Sequence, residues 1–144
     1  MPLLQLSVIS ENKPGAMAKL ASVLDRKKIR VFALSIAEAG EVGLIRMVVN
    51  DAEVVVRQLE SEGFMLAKSK KNVEVIAVLI TEQHSLSEIT RLLDDNEVNI
   101  DYAYSSSIHL NGKSGLILRV SDPDKSERIL KENGIRTLTT TDLQ

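Results

Sequence analysis

Cysteine and tryptophan are missing from this 144-residue chain, and aromatic residues make up only 3% of it. Without cysteine there are no disulfides, thiolate metal sites or thiol catalysis, and the expectation is a cytoplasmic protein. Imidazole is nearly absent as well. His84 and His109 are the only two histidines, so a histidine metal centre or acid–base pair would need them to converge from distant stretches. Net charge is −2, which leaves no basic field for nucleic acid or an anionic membrane. The apolar stretch ending at Ile80 is far too short to span a bilayer, and the chain begins with a strand-like run that lacks a signal-peptide pattern. The sequence also contains no Gly-x-Ser-x-Gly elbow, phosphate loop, dinucleotide fingerprint or His-Glu-x-x-His helix. Catalysis, a cofactor and a metal are therefore not expected. Asp94-Asp95 and Asp122-Pro123-Asp124 read as a helix-end charge pair and a helix cap, not as paired catalytic carboxylates.

What is present is an ordinary globular composition, 44% apolar and 26% charged, in a pattern that occurs twice. Residues 3–10 read as a strand, and a helix follows to about residue 28 with Met17, Leu20, Ala21 and Leu24 at helical spacing. Residues 30–39 and 43–50 read as strands joined across Gly40-Glu41-Val42-Gly43. Asp51 caps a second helix, Gly63 ends it, and a short strand follows over 64–69. The polar, basic Lys68-Ser69-Lys70-Lys71-Asn72 suits a solvated linker. A second cycle then runs through a strand at 73–80, a helix at 85–96, strands at 98–107 and 115–121, a helix at 124–133 and a strand at 135–139. Leu24-Asp25 recurs as Leu93-Asp94, Gly43-Leu44-Ile45 as Gly115-Leu116-Ile117, and Gly63-Phe64 as Gly134-Ile135, about 70 residues on. The second hairpin reads as longer by about three residues, with Ile108 to Gly112 as its swollen tip.

Two βαββαβ units make an α+β fold of two ferredoxin-like domains, 1–70 and 71–144, each an antiparallel four-stranded sheet with two helices on one face. In residues 31–36 and 73–80 both parities are apolar, whereas a wet sheet face alternates with polar residues. That pattern predicts a second buried face, supplied most economically by two-fold self-association into a homodimer.

The chemically informative stretch is Glu11-Asn12-Lys13-Pro14-Gly15-Ala16-Met17. Pro14 suits a first helical position, which puts Lys13, with no acceptor oxygen, at the cap; Asn12 would cap if the helix began one residue earlier. Gly15 leaves a bare backbone beside the first amides of the helix, a seat for a small carboxylate. The second repeat has Gln83-His84-Ser85 there instead. Ser85-Leu86-Ser87-Glu88 is a capping box, with Ser85 accepting from the Glu88 amide and Glu88 reaching back to the cap's own N–H. One good site per chain is therefore expected.

Taken in order, the strand over 4–10 with its Pro-Gly turn, the strands at 31–38 and 43–50, and their counterparts, from Val98 to Ser105 with Tyr102 and Tyr104 and from Gly115 to Val120, resemble a stand-alone protein of two tandem ACT domains. The resemblance covers essentially the whole chain. It implies two units side by side in one eight-stranded sheet, with a free amino acid or similar metabolite at the seam between the glycine-bearing loop of one unit and the second strand of its neighbour. Carried over by position, the ligand residues are Asn12, Lys13, Pro14, Gly15, Ala16 and Met17 of the first repeat and Tyr102 and Tyr104 of the second. The amides of Gly15, Ala16 and Met17 would take the ligand carboxylate, Asn12 either its carboxylate or its ammonium group, and the tyrosines its side chain. This implies a non-catalytic sensor that reports to an enzyme or regulator partner. A regulatory or docking subunit of an amino-acid biosynthetic enzyme is the alternative. An RNA-binding ferredoxin-like module fits less well, since Phe32 and Phe64 lie outside any RNP-like motif.

Overall fold

Alternation and helical spacing translate into the element order β1 (Leu3–Glu11), α1 (Ala16–Arg26), β2 (Val31–Ala39), β3 (Val42–Val49), α2 (Ala52–Ser61), β4 (Met65–Leu66), then β5 (Val73–Ile80), α3 (Leu86–Asp95), β6 (Ile100–Leu110), β7 (Lys113–Val120), α4 (Pro123–Glu132) and β8 (Thr137–Leu138), with a final 3-10 turn at Thr141–Leu143. The computed structural model describes residues 3–67, 73–110 and 113–143, with the side chains of all these but 107–110 and 143. The linker read at 68–72, the domain boundary at 70 and the Asn111-Gly112 turn lie outside the described residues. The chain divides into two compact units, one of Leu4–Val73 and one of Glu74–Gln144 together with Met1–Leu3.

Each unit is one antiparallel sheet. In the first, β1 pairs with β3 and β4, and β3 with β2; in the second, β5 pairs with β7 and β8, and β7 with β6. Both helices of a unit cover the same sheet face. Leu20, Val23 and Leu24 of α1 and Val55, Val56 and Leu59 of α2 close on Leu6, Val8, Ile45, Met47 and Val49. Ile89, Leu93, Ile129 and Leu130 close in the same way on Ile76, Val78, Leu116, Leu118 and Val120. Burying such side chains contributes about 1.5–3 kcal/mol each, and this holds the helix pairs on their sheets. These core positions correct the alignment of the repeats. Ile45, Met47 and Val49 correspond to Leu116, Leu118 and Val120, so matching Gly43 with Gly115 is one residue out of register.

The longer hairpin is also built differently from expectation. Ser105 faces Leu116 and His109 faces Ser114, so four residues of β6 pass only two of β7. The extra length is a two-residue bulge inside β6, which keeps the remaining ladder paired.

Helix ends follow one rule. Ile29, Phe64, Val98 and Ile135 each donate their N–H to the carbonyl six positions back counting inclusively, at Leu24, Leu59, Leu93 and Leu130, over 2.9–3.0 Å. Each is an apolar residue that packs into its unit's core, the pairing of a Schellman motif. The residue before it takes positive φ: Gly63 and Gly134 at 89° and 74°, but Lys28 and Glu97 at 55° and 60°. Three helix starts are capped by side chains, with Asp51, Ser85 and Asp122 accepting from the amides of Val54, Glu88 and Lys125. Among the described residues, the strands read at 64–69 and 135–139 are regular over two residues each, because few of their backbone groups meet a partner on β1 or β5.

Both faces of β5 are buried, with Val75, Ile76, Ala77, Val78 and Leu79 all at or below 5% exposure. Strand β2 grades outward instead, from buried Phe32 and Ala33 to Ile36 at 56% exposure.

Candidate functional site

The fourth helix start is the exception. Helix α1 begins at Ala16, and its cap is Gly15 at φ 90° and ψ −19°, with no side-chain cap. The expected cap at Lys13 or Asn12 is therefore corrected. Pro14 and Gly15 are the central pair of a tight turn in which the Ala16 amide donates to the Lys13 carbonyl at 3.3 Å. A proline followed by a positive-φ glycine is what a type II turn demands, and that requirement outweighs proline's liking for the first helical position. The Gly15 carbonyl then accepts from Lys19 at 3.0 Å. Ala16 is thus engaged by the turn, and the amides of Met17 and Ala18 are the helix's open donors among the described residues.

Beside this turn lies a groove of about 640 Å³ lined by the end of β1, Lys13 to Ala16, Lys19 and the Gly63-Phe64-Met65 segment. Its apolar wall includes Val42 and Met65, 41% and 60% exposed, with Phe64 beneath the Lys19 ammonium at 5.7 Å from the ring centre. At the rim Lys13 bonds Glu11 at 2.7 Å, and that hydrogen bond, with the lysine's charge, holds the Glu11 carboxyl below the usual carboxylate range.

Of the first-repeat residues named from sequence, Lys13, Pro14, Gly15 and Ala16 line the groove. Asn12 does not. Its side-chain amide donates to the Gly40 carbonyl at 2.9 Å and its backbone N–H to the Glu41 carbonyl at 2.8 Å, so it ties the loop to the β2–β3 hairpin. Met17 does not line the groove either and packs its side chain against the first core. Tyr102 and Tyr104 sit two apart on one face of β6, half-buried, rings stacked at 6.4 Å and 20°. Val42, Lys19, Phe64 and Met65 were missed. Val42 reaches the groove by pairing with Glu11 across β1 and β3, strands that are not consecutive, so no local pattern pointed to it.

The second unit carries the equivalent corner. Ser85 caps α3 as expected, but Glu88 does not return to the cap; its two carboxylate oxygens lie 3.3 Å from Nδ1 of His84. The loop is braced by Thr81, whose hydroxyl accepts from the His84 amide at 2.9 Å. Closing the cap does not close the corner. A groove of about 780 Å³ remains, lined in part by Thr81 to His84, Lys113, Ser114, Gly134 and Arg136. Among the described residues no group of His, Asp and Glu is arranged to hold a metal ion, and no helix is long and apolar enough to cross a membrane.

Comparison with known proteins bears on this architecture. The model of the ACT domain pair family matches residues 1–144. Among solved structures, protein BT0572 from Bacteroides thetaiotaomicron is similar at 28% identity and a TM-score of 0.86, over 99% of this chain and 96% of that one. The ligand-free regulatory subunit of aspartate kinase from Thermus thermophilus shares the fold at 14% identity and a TM-score of 0.61, over 91% of each chain. The aspartokinase alpha and beta subunits do so at 14% identity and 0.56, over 89% of this chain and 90% of that one. No curated protein matches. With a family model spanning every residue and a βαββαβ fold in both units, the chain belongs to the ACT domain pair family.

Proposed function

We propose that this chain is a non-catalytic, cytoplasmic sensor of a free amino acid, acting as a homodimer on an enzyme or regulator partner. The observation that carries the reading is the contrast among helix starts: three are capped by their own side chains, while α1 opens through Gly15 onto a groove. A ligand carboxylate would accept from the Met17 and Ala18 amides, where the helix dipole favours an anion by about 0.3–1 kcal/mol. Lys13 and Lys19 add positive charge, and Val42, Phe64 and Met65 offer surface to an apolar side chain. A neighbouring ACT unit, through a strand bearing Tyr102 and Tyr104, would close over the ligand. Binding then favours whichever arrangement of units completes the pocket, and regulation follows from that difference.

A thermal-shift screen of the twenty amino acids, run beside light scattering, tests this reading. A ligand at one hundred times its Kd stabilises by about 2.7 kcal/mol, a shift of several degrees for a domain of this size. If no amino acid moves the transition and the chain co-purifies with a larger enzyme, the sensor reading fails and the docking-subunit reading replaces it. The fold likeness to the regulatory subunit of aspartate kinase makes that second reading the natural competitor.

A further inference from the structure

The two grooves stand on equivalent corners but differ in chemistry. Core register places Val42, at the start of β3, in correspondence with Lys113 at the start of β7, and Met65, two residues past Gly63, with Arg136, two past Gly134. Two apolar wall residues of the first groove, Val42 and Met65, are therefore cations in the second.

Their surroundings suit a ligand. Arg136 donates from Nη2 to Asp142 at 2.7 Å, and Asp142 is held by the Thr139 amide and hydroxyl at 2.8 and 3.1 Å. The guanidinium is oriented by that turn while its remaining N–H groups stay available to a second acceptor. Lys113 forms no ion pair among the described residues. His84, its side chain 26% exposed and bonded to Glu88, is a third basic group on the lining. Glu82 is the one carboxylate there. Arg136 shares its charge with Asp142, so Lys113 is the cation there without an ion pair among the described residues. Its ammonium and the guanidinium N–H groups that Asp142 leaves over are two donor sets on separate elements of one concave surface, which a ligand with two anionic ends can engage together.

We infer that the groove of the second unit is a binding site for a compact dianion, a small dicarboxylate or a phosphate ester, clamped between Lys113 and Arg136. The site is independent of the amino-acid reading of the first unit.

Calorimetric titration of the whole chain with succinate and with inorganic phosphate tests it, and the tighter probe separates a dicarboxylate from a phosphate ligand. At least one should bind saturably. Lys113→Val should weaken that binding by about tenfold, the value of one charge-assisted contact, and Lys113→Val with Arg136→Met should abolish it. Lys113→Val leaves the Arg136–Asp142 clasp intact, so its melting temperature should hold and the loss cannot be assigned to unfolding. Failure of both probes to bind, or equal binding by the double variant, overturns the assignment.

Discussion

The side-chain amide of Asn12 donates to the carbonyl of Gly40, 28 residues later, at 2.9 Å. With the backbone bond from Asn12 to Glu41 at 2.8 Å, it fastens the turn that frames the first groove to the tip of the β2–β3 hairpin. Asn12→Ala should cost about 0.5–1.5 kcal/mol, the ordinary value of one such bond, read as a lower midpoint in urea. Any loss of ligand affinity should be accompanied by that loss of stability, because Asn12 acts on the groove through the hairpin.

Gly15 and Gly40 provide a matched pair of probes. Both have positive φ, 90° and 72°, and at neither would an added Cβ meet an atom within 4 Å. Alanine at either should cost about 1 kcal/mol through backbone strain alone. Only Gly15→Ala should also weaken amino-acid binding. Equal affinities of the two variants by calorimetry would remove the proposed carboxylate seat.

Lys28 and Glu97 hold the left-handed position that glycine fills after α2 and α4. Left-handed φ costs a side-chain-bearing residue about 1–2 kcal/mol, and glycine gives back about 0.5–1 kcal/mol of that in unfolded-chain entropy. Lys28→Gly and Glu97→Gly should each stabilise their unit by about 0.5–1 kcal/mol, the net of these two terms. Denaturant midpoints check this, and a lower midpoint would refute it.

Asp142 predicts an acid limb in stability. The Thr139 amide, together with Arg136 and the Thr139 hydroxyl, holds its carboxyl below the usual range. A depressed folded-state pKa contributes stability that is complete above the unfolded value and disappears as pH falls through the folded one. Asp142→Asn should therefore melt lower than the parent at neutral pH, and the two curves should converge in acid. A gap that stays constant with pH would exclude the charge as its origin.

Much of the fold was legible because its signals are local. Asp51, Ser85 and Asp122 each stand before an apolar-periodic run, and each caps the helix it announces. The start of α1 was misplaced because Pro14-Gly15 satisfies two local rules at once, and only the bond from Ala16 back to Lys13 decides between them. The repeat alignment slipped by one residue at Gly43 because a glycine match says nothing about which strand face meets the helices. Glu88 left its cap for His84, a choice between two nearby partners that no spacing rule ranks. In the site, the polypeptide supplying the seat could be read from its turn residues. Val42 and Met65 could not, since they come to the groove through strand pairing.

Strands β4 and β8 are each only two residues long, and in each unit this strand lies outermost, beside β1 or β5. A long, flat border with a row of unsatisfied N–H and C=O groups is what lets a foreign strand add on and fibrils grow. A border this brief gives such a template almost no hold. On these two flanks, any protein that docks must recognise side chains and surface shape, and cannot simply extend the main-chain ladder.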